Sequence, residues 1–130
     1  MSICNAPWPT GTPCWVDLAV PDVSAATEFY AAVFDYFSPS VEGAGPAYIT
    51  LHLDGDSLGG IGGLDNSPPG TSPHWMIYFM VADTDAAVAA ATASGATVLD
   101  RPFDTPYGRM AVITDLQGAT FAIMGAVSPN

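Results

Sequence analysis

The sequence has no lysine. Arg101 and Arg109 are its only fixed cations against 13 acidic residues, for a net charge of −11. Phosphate backbones need clustered cations, so this balance argues against a nucleic-acid partner. It suits a neutral or cationic small molecule better. Most of the carboxylates read as turn and cap residues that keep an apolar chain soluble. Charged residues make up only 12% of the chain and hydrophobic ones 49%. That is enough apolar material for a core and too little charge for disorder. Long apolar runs are absent. The stretch from Ala86 to Ala96 contains Thr92, Ser94 and Gly95 and reads as a small-residue helix, not a membrane span. Met1 to Asn5 has neither the basic region nor the apolar core of a secretion signal, so the expected location is the cytoplasm. Cysteine is scarce as well. Cys4 and Cys14 have no second pair at zinc spacing and are expected to be free thiols.

What the chain does contain is a repeat. Trp15-Val16-Asp17-Leu18-Ala19-Val20 followed by Pro21-Asp22 reads as a strand, a turn and a helix start. Met76 to Ala87 repeats it, with Val20, Asp22, Ala25 and Ala26 matched at one constant spacing by Val81, Asp83, Ala86 and Ala87. Two copies of one supersecondary unit, neither able to bury its sheet face alone, place function where the units meet. A chain of 130 residues is then one domain. Module 1 covers about 12–64, a linker 65–73, and module 2 about 74–126.

Strand periodicity and turn residues give the elements. The lead-in through Pro13 is extended. A strand over 14–20 is followed by a helix from Ser24 to Phe34 capped by Asp22. Ala26, Phe29, Tyr30, Val33 and Phe34 form its expected sheet-facing stripe. Asp35 to Pro46 reads as loop, 47–53 as a strand, Asp54-Gly55-Asp56 as a tight hairpin, and 57–64 as a glycine-rich strand. After the linker come a strand over 75–81, a helix from Thr84 to Ser94 capped by Asp83 and stopped by Gly95, and a short strand over 97–99. A loop over 102–108 and strands over 110–114 and 120–124 complete the chain. Alternation places Val16, Leu18 and Val20 toward the helix, with Trp15, Asp17 and Ala19 on the other face. Ile77, Phe79, Val81, Phe121 and Ile123 likewise face a helix. Met76, Tyr78, Met80, Thr120, Ala122 and Met124 face away, as do Tyr48, Thr50 and His52.

Pro13-Cys14-Trp15-Val16-Asp17-Leu18-Ala19-Val20-Pro21-Asp22 with the Phe29-Tyr30 pair, Pro106-Tyr107-Gly108-Arg109-Met110-Ala111-Val112, and Thr114-Asp115-Leu116-Gln117-Gly118-Ala119-Thr120-Phe121 together resemble the vicinal oxygen chelate superfamily. That superfamily includes glyoxalase I, bleomycin-resistance proteins, fosfomycin-resistance enzymes and extradiol dioxygenases. The resemblance covers nearly the whole chain. It implies an α+β fold of two tandem βαβββ modules, a cup-shaped mixed sheet with helices on its outer face. It also implies that enzymes of the family hold a divalent metal through His, Glu or Gln at matched positions. Here those positions carry Trp15, Met76 and Ala122, with a fourth in the glycine-rich strand 57–64, which lacks any His or acid. Indole, thioether and methyl groups do not hold such an ion. His74 and His52 are the only imidazoles near these places, so no metal and no other cofactor is expected.

Rings and sulfur stand where ligands would be, and these suit a planar or apolar guest. The resemblance is nearest to the metal-free bleomycin-resistance-like branch. It implies a binding protein that sequesters an aromatic or drug-like natural product, working as a homodimer. The expected ligand-binding residues are Trp15, Asp17, Phe34, Tyr48, His52, Trp75, Met76, Tyr78, Met80 and Arg109. Each of these taken singly also fits a core or surface role, and for Arg109 a bridge to Asp104 or Asp115 is the simpler one. An enzyme is the alternative. Asp17, a carboxylate expected on an apolar face, would work with Tyr48, His52 or Tyr78 in acid–base isomerisation, cyclisation or hydrolysis. A metal enzyme with unusual ligands, or one half of a longer two-domain protein, are the remaining readings.

Overall fold

The computed structural model describes residues 9–36, 48–64 and 69–126. Cys4, most of the loop expected over 35–46, and residues 65–68 of the expected linker lie outside them. The described residues form β1 (Pro13–Val20), α1 (Val23–Phe34), β2 (Tyr48–Leu53), β3 (Asp56–Gly63), β4 (His74–Met80), α2 (Thr84–Ala93), β5 (Thr97–Thr105), β6 (Gly108–Thr114) and β7 (Thr120–Gly125). The fold is α+β, each helix following one strand and preceding a run of strands as the repeat requires. Neither helix is long and apolar enough to cross a membrane. The described residues divide into two compact units, the first drawn from 16–76 and the second from 9–15 and 77–126.

In the first unit β3 lies between β2, antiparallel to it, and β1, parallel to it. The β2–β3 turn is the expected hairpin. Asp54 (φ 51°) and Gly55 (φ 86°) both adopt positive φ, the requirement of a two-residue turn that matches strand twist. The register then shifts between Leu51 and His52, a bulge that precedes Gly59. Leu18, Leu51 and Ile61 form the core, with Val20, Val23, Ala26, Tyr30 and Tyr36 packed on it. The Asp22 carboxylate accepts the Ala25 N–H at 3.0 Å and starts α1. Asp35, in the left-handed region at φ 62°, ends it.

Only part of the expected stripe of α1 is covered. Ala26 and Tyr30 pack on the sheet, but Phe29, Val33 and Phe34 are 60%, 53% and 52% exposed. At 100° per residue the stripe is about 140° wide, with Phe29 and Phe34 at its two edges and Val33 within about 20° of Ala26, so the angle accounts for the exposed edges and not for Val33.

In the second unit the strand order is β4-β7-β6-β5, with β4 and β7 parallel and the other pairs antiparallel. The lead-in has a structural role here. Gly11 N–H donates to the Met80 carbonyl and Met80 N–H to the Thr12 carbonyl, each at 2.8 Å. Ala111, Ile113 and Ile123 pack beneath Val81, Ala87, Val88, Ala91, Ala96 and Phe121. The Asp83 carboxylate caps α2 at the Ala86 N–H. One expectation fails. Residues 102–105 are strand, not loop, because β5 continues past irregularities at 98–100 and 100–103 to pair Thr105 with Gly108. Pro102 is tolerated there because β5 is an edge strand.

Two carboxylates tie this unit to pH. Asp115 accepts N–H bonds from Gln117 at 2.8 Å and Ala119 at 3.0 Å, closing the β6–β7 turn. Those backbone bonds hold its carboxyl below the ordinary value of 3.8. The Arg109 guanidinium does the same for Asp85. A carboxyl whose folded value lies below its unfolded one adds stability above the unfolded value, and that stability is lost as pH falls through the folded one. The melting temperature should therefore decline modestly as pH drops below about 4, since both carboxylates are exposed. Asp115→Ala should lower it at neutral pH and flatten the acid limb, as followed by circular dichroism.

Candidate ligand-binding site

The sheet face opposite α1 is built around β3, where glycine takes the place of side chains. Gly60 is flanked by Asp17 on β1 and Thr50 on β2. A Cβ at Gly60 would collide with the ring and hydroxyl of Tyr48. Only a residue without a side chain lets the Tyr48 ring lie across the strand. From there the phenol donates to Asp17 Oδ1 at 2.8 Å. Further along β2, His52 Nε2 shares a hydrogen bond with Thr50 Oγ1 at 2.9 Å, and its Nδ1 one with Ser57 Oγ at 3.3 Å. The expected trio Asp17, Tyr48 and His52 thus shares one face, with two partners: Thr50, which alternation had placed beside them, and Ser57, which it had not marked. Gly60→Ala should push Tyr48 off Asp17. In a high-resolution structure or by tyrosine fluorescence this variant should show the phenol released, and it should lose function wherever the pair is used.

In the second unit the face away from α2 carries Tyr78, Ala122 and Val112 in one row, and Met80, Met124 and Met110 in the next. Tyr78, Ala122, Val112 and Met124 are buried. Met80 is half-buried. Trp15 is buried and stacks on Tyr107, with ring centroids 6.2 Å apart and planes 25° apart. Tyr107 is 53% exposed.

Three expected site residues sit elsewhere. Phe34 stacks on Tyr30 and Trp75 meets Tyr30 edge-on at 5.2 Å, so both belong to the helix side of the first unit and not to the Asp17–Tyr48 face. The reason is parity: Trp75 alternates with Met76, and Phe34 ends the covering helix. Arg109 is held by Asp85 at 2.7 Å and Asp104 at 3.3 Å, which ties α2 to the β5–β6 ribbon. Asp104 was an expected partner; Asp115, the other, is engaged in its own turn. Met76 is half-buried on β4. His74 donates from Nδ1 to the Ser72 carbonyl at 2.8 Å, a contact within its own turn.

The positions that the resemblance implies for metal ligands carry an indole, a thioether and a methyl at Trp15, Met76 and Ala122, which are not donors for a divalent ion. Among the described residues no three His, Cys, Asp or Glu gather as a ligand set.

Comparison with known proteins agrees with the fold. The family model described as the Glyoxalase/Bleomycin resistance protein/Dioxygenase superfamily matches residues 13–123. CFP32 of Mycobacterium tuberculosis, named provisionally as a glyoxylase, is 38% identical over 117 residues, covering 88% of this chain and 44% of that protein. The anthracycline biosynthesis protein DnrV of Streptomyces peucetius is 32% identical over 127 residues, covering 87% and 46%. The chain therefore spans about half the length of the curated relatives it matches. Among solved structures, Streptomyces coelicolor methylmalonyl-CoA epimerase superposes with a TM-score of 0.63 at 21% identity, covering 92% of this chain and all of that one. Protein BH1468 of Bacillus halodurans superposes with a TM-score of 0.66 at 12% identity, covering 94% and 99%. At these identities the two structures speak to the fold alone.

Proposed function

Because the chain belongs to the Glyoxalase/Bleomycin resistance protein/Dioxygenase superfamily, we propose that it binds a planar aromatic small molecule by stacking and apolar burial, without a metal. What supports this reading is that the positions the resemblance implies for metal ligands carry a ring, a thioether and a methyl at Trp15, Met76 and Ala122. A Lewis-acid reaction has no donor set there. A flat apolar guest finds large contact area at low entropic cost. The similarity to proteins named for anthracycline biosynthesis supports an aromatic natural product as the guest class. The net charge of −11 favours a cationic one. Sequestration of this kind needs affinity and stoichiometry, not turnover, and a homodimer is the expected assembly.

A thermal-shift panel tests it. The probes are a cationic anthracycline, a neutral anthraquinone and a cationic aliphatic amine. At about 100 times its dissociation constant, a true guest stabilises by about 2.7 kcal/mol. Both aromatic probes should raise the melting temperature and the amine should not. Absence of a shift with either aromatic overturns the reading.

One observation favours a second reading. Tyr48 and Asp17, hydrogen-bonded at 2.8 Å, form a proton-transfer pair, with His52 on the same strand face. Acid–base turnover of a bound guest would then depend on Asp17. Conversion of a probe by the wild type and not by Asp17→Asn, followed by mass spectrometry, would establish it.

A further inference from the structure

Tyr107 stands out on the second unit because the surrounding backbone is built to hold one exposed ring in place. The β5–β6 connection has two residues, Pro106 and Tyr107, between Thr105 and Gly108. Neither has a positive φ, so the turn lacks the backbone twist that two-residue hairpins prefer. The Thr105 side chain compensates. Its hydroxyl donates to the Gly108 carbonyl at 2.8 Å and accepts the N–H groups of Tyr107 and Gly108, each at 3.1 Å. Gly108 fixes the other side. It has φ 151°, and a Cβ there would collide with the Gly125 carbonyl and approach Met124 Sδ at 2.8 Å. The end of β7 therefore packs directly against the turn.

The pinned turn sets the Tyr107 ring against Trp15, with centroids 6.2 Å apart and planes 25° apart, the offset arrangement that aromatic quadrupoles favour. Trp15 is left 7% exposed and Tyr107 53% exposed. The indole is thus the buried base of the pair, and the phenol is its solvent-facing member. An exposed ring whose backbone is fixed and whose inner side is already stacked loses little entropy when a third ring joins. Tyrosine also supplies a hydroxyl at the rim of such a contact.

We propose that Tyr107 is the docking platform for the aromatic guest, extending a stack whose base is Trp15, and that it selects flat fused rings over non-planar apolar molecules. This rests on the reading of the chain as a binder of aromatic small molecules and names the residue that recognises them. Thr105 acts as the positioning residue, through the turn.

The test is a fluorescence titration of the full chain with a cationic anthracycline, using wild type, Tyr107→Phe, Tyr107→Ala, Tyr107→Leu and Thr105→Val. Tyr107→Phe should bind within about twofold of wild type, because the ring face is kept. Tyr107→Ala and Tyr107→Leu should each bind about tenfold more weakly, with far-ultraviolet circular dichroism unchanged. The leucine variant retains apolar bulk at the turn and decides the matter should alanine fail to fold. Thr105→Val keeps the ring and loosens the turn, so it should lose part of the affinity, with a faster off-rate as its signature. Wild-type binding matched by Tyr107→Leu overturns this assignment and leaves the general reading standing. A wild type that binds no aromatic probe overturns both.

Discussion

Gly59→Ala should unfold the first unit or leave it barely folded. Gly59 is paired with Val16 on one side and Leu51 on the other, and a Cβ there would collide with the backbone carbonyl of Val16. The obstacle is a neighbouring strand, not the end of a flexible side chain, so no rotamer change relieves it. Either β1 and β3 separate, or the bulge before Gly59 rearranges, and both disturb the Leu18–Leu51–Ile61 core. Overpacking typically costs about 1–3 kcal/mol and here should reach the top of that range or pass it. Urea denaturation should show the loss. A control isolates the mechanism. Gly118 has φ 90° but open space around its Cβ position. Gly118→Ala should therefore show only the backbone penalty of positive φ, about 1 kcal/mol. Equal midpoints for Gly59→Ala and wild type would contradict the packing described for β3.

Trp15→Ala should have the second large effect, on stability and on binding together. The indole is 7% exposed and stacks on Tyr107. Removing a buried tryptophan costs about 3–5 kcal/mol. That is enough to blur any binding measurement, so the informative partner is Trp15→Phe. It keeps a ring beneath Tyr107 and most of the contact area. It should cost about 1–2 kcal/mol of stability as a partial cavity and weaken an aromatic guest severalfold. If Trp15→Phe loses stability but binds as wild type does, the indole is core and nothing more.

The sequence was most legible where one local physical rule decides the outcome. Asp22 and Asp83 cap helices because a short carboxylate reaches an unpaired N–H whatever lies beyond. Asp54-Gly55 turns a hairpin because both residues accept positive φ. Alternation along β1 and β2 was enough to place Asp17 and Tyr48 on one face. Their hydrogen bond follows from that placement and from the missing side chain at Gly60. Legibility failed where two elements compete for one residue. Phe29 and Phe34 carry the period of a buried stripe, but they lie at its two edges, and the sheet covers Ala26 and Tyr30 in its middle. Pro102 reads as a strand breaker, although an edge strand has a side on which no N–H is needed. Trp75 was assigned by residue type against its strand parity, and Phe34 against its place on α1; both lie on the helix side. Tyr107 was visible only as part of a motif. Its significance depends on Trp15, far away in sequence, and no local pattern reports that contact.

Isothermal titration of chelator-treated protein with a cationic anthracycline, repeated after addition of excess zinc or magnesium, tests the central claim most directly. Metal-free guest binding predicts saturable heat with a whole-number stoichiometry per chain, and the same dissociation constant with and without the ion. No heat in either condition, or heat that develops only once the ion is present, would contradict it.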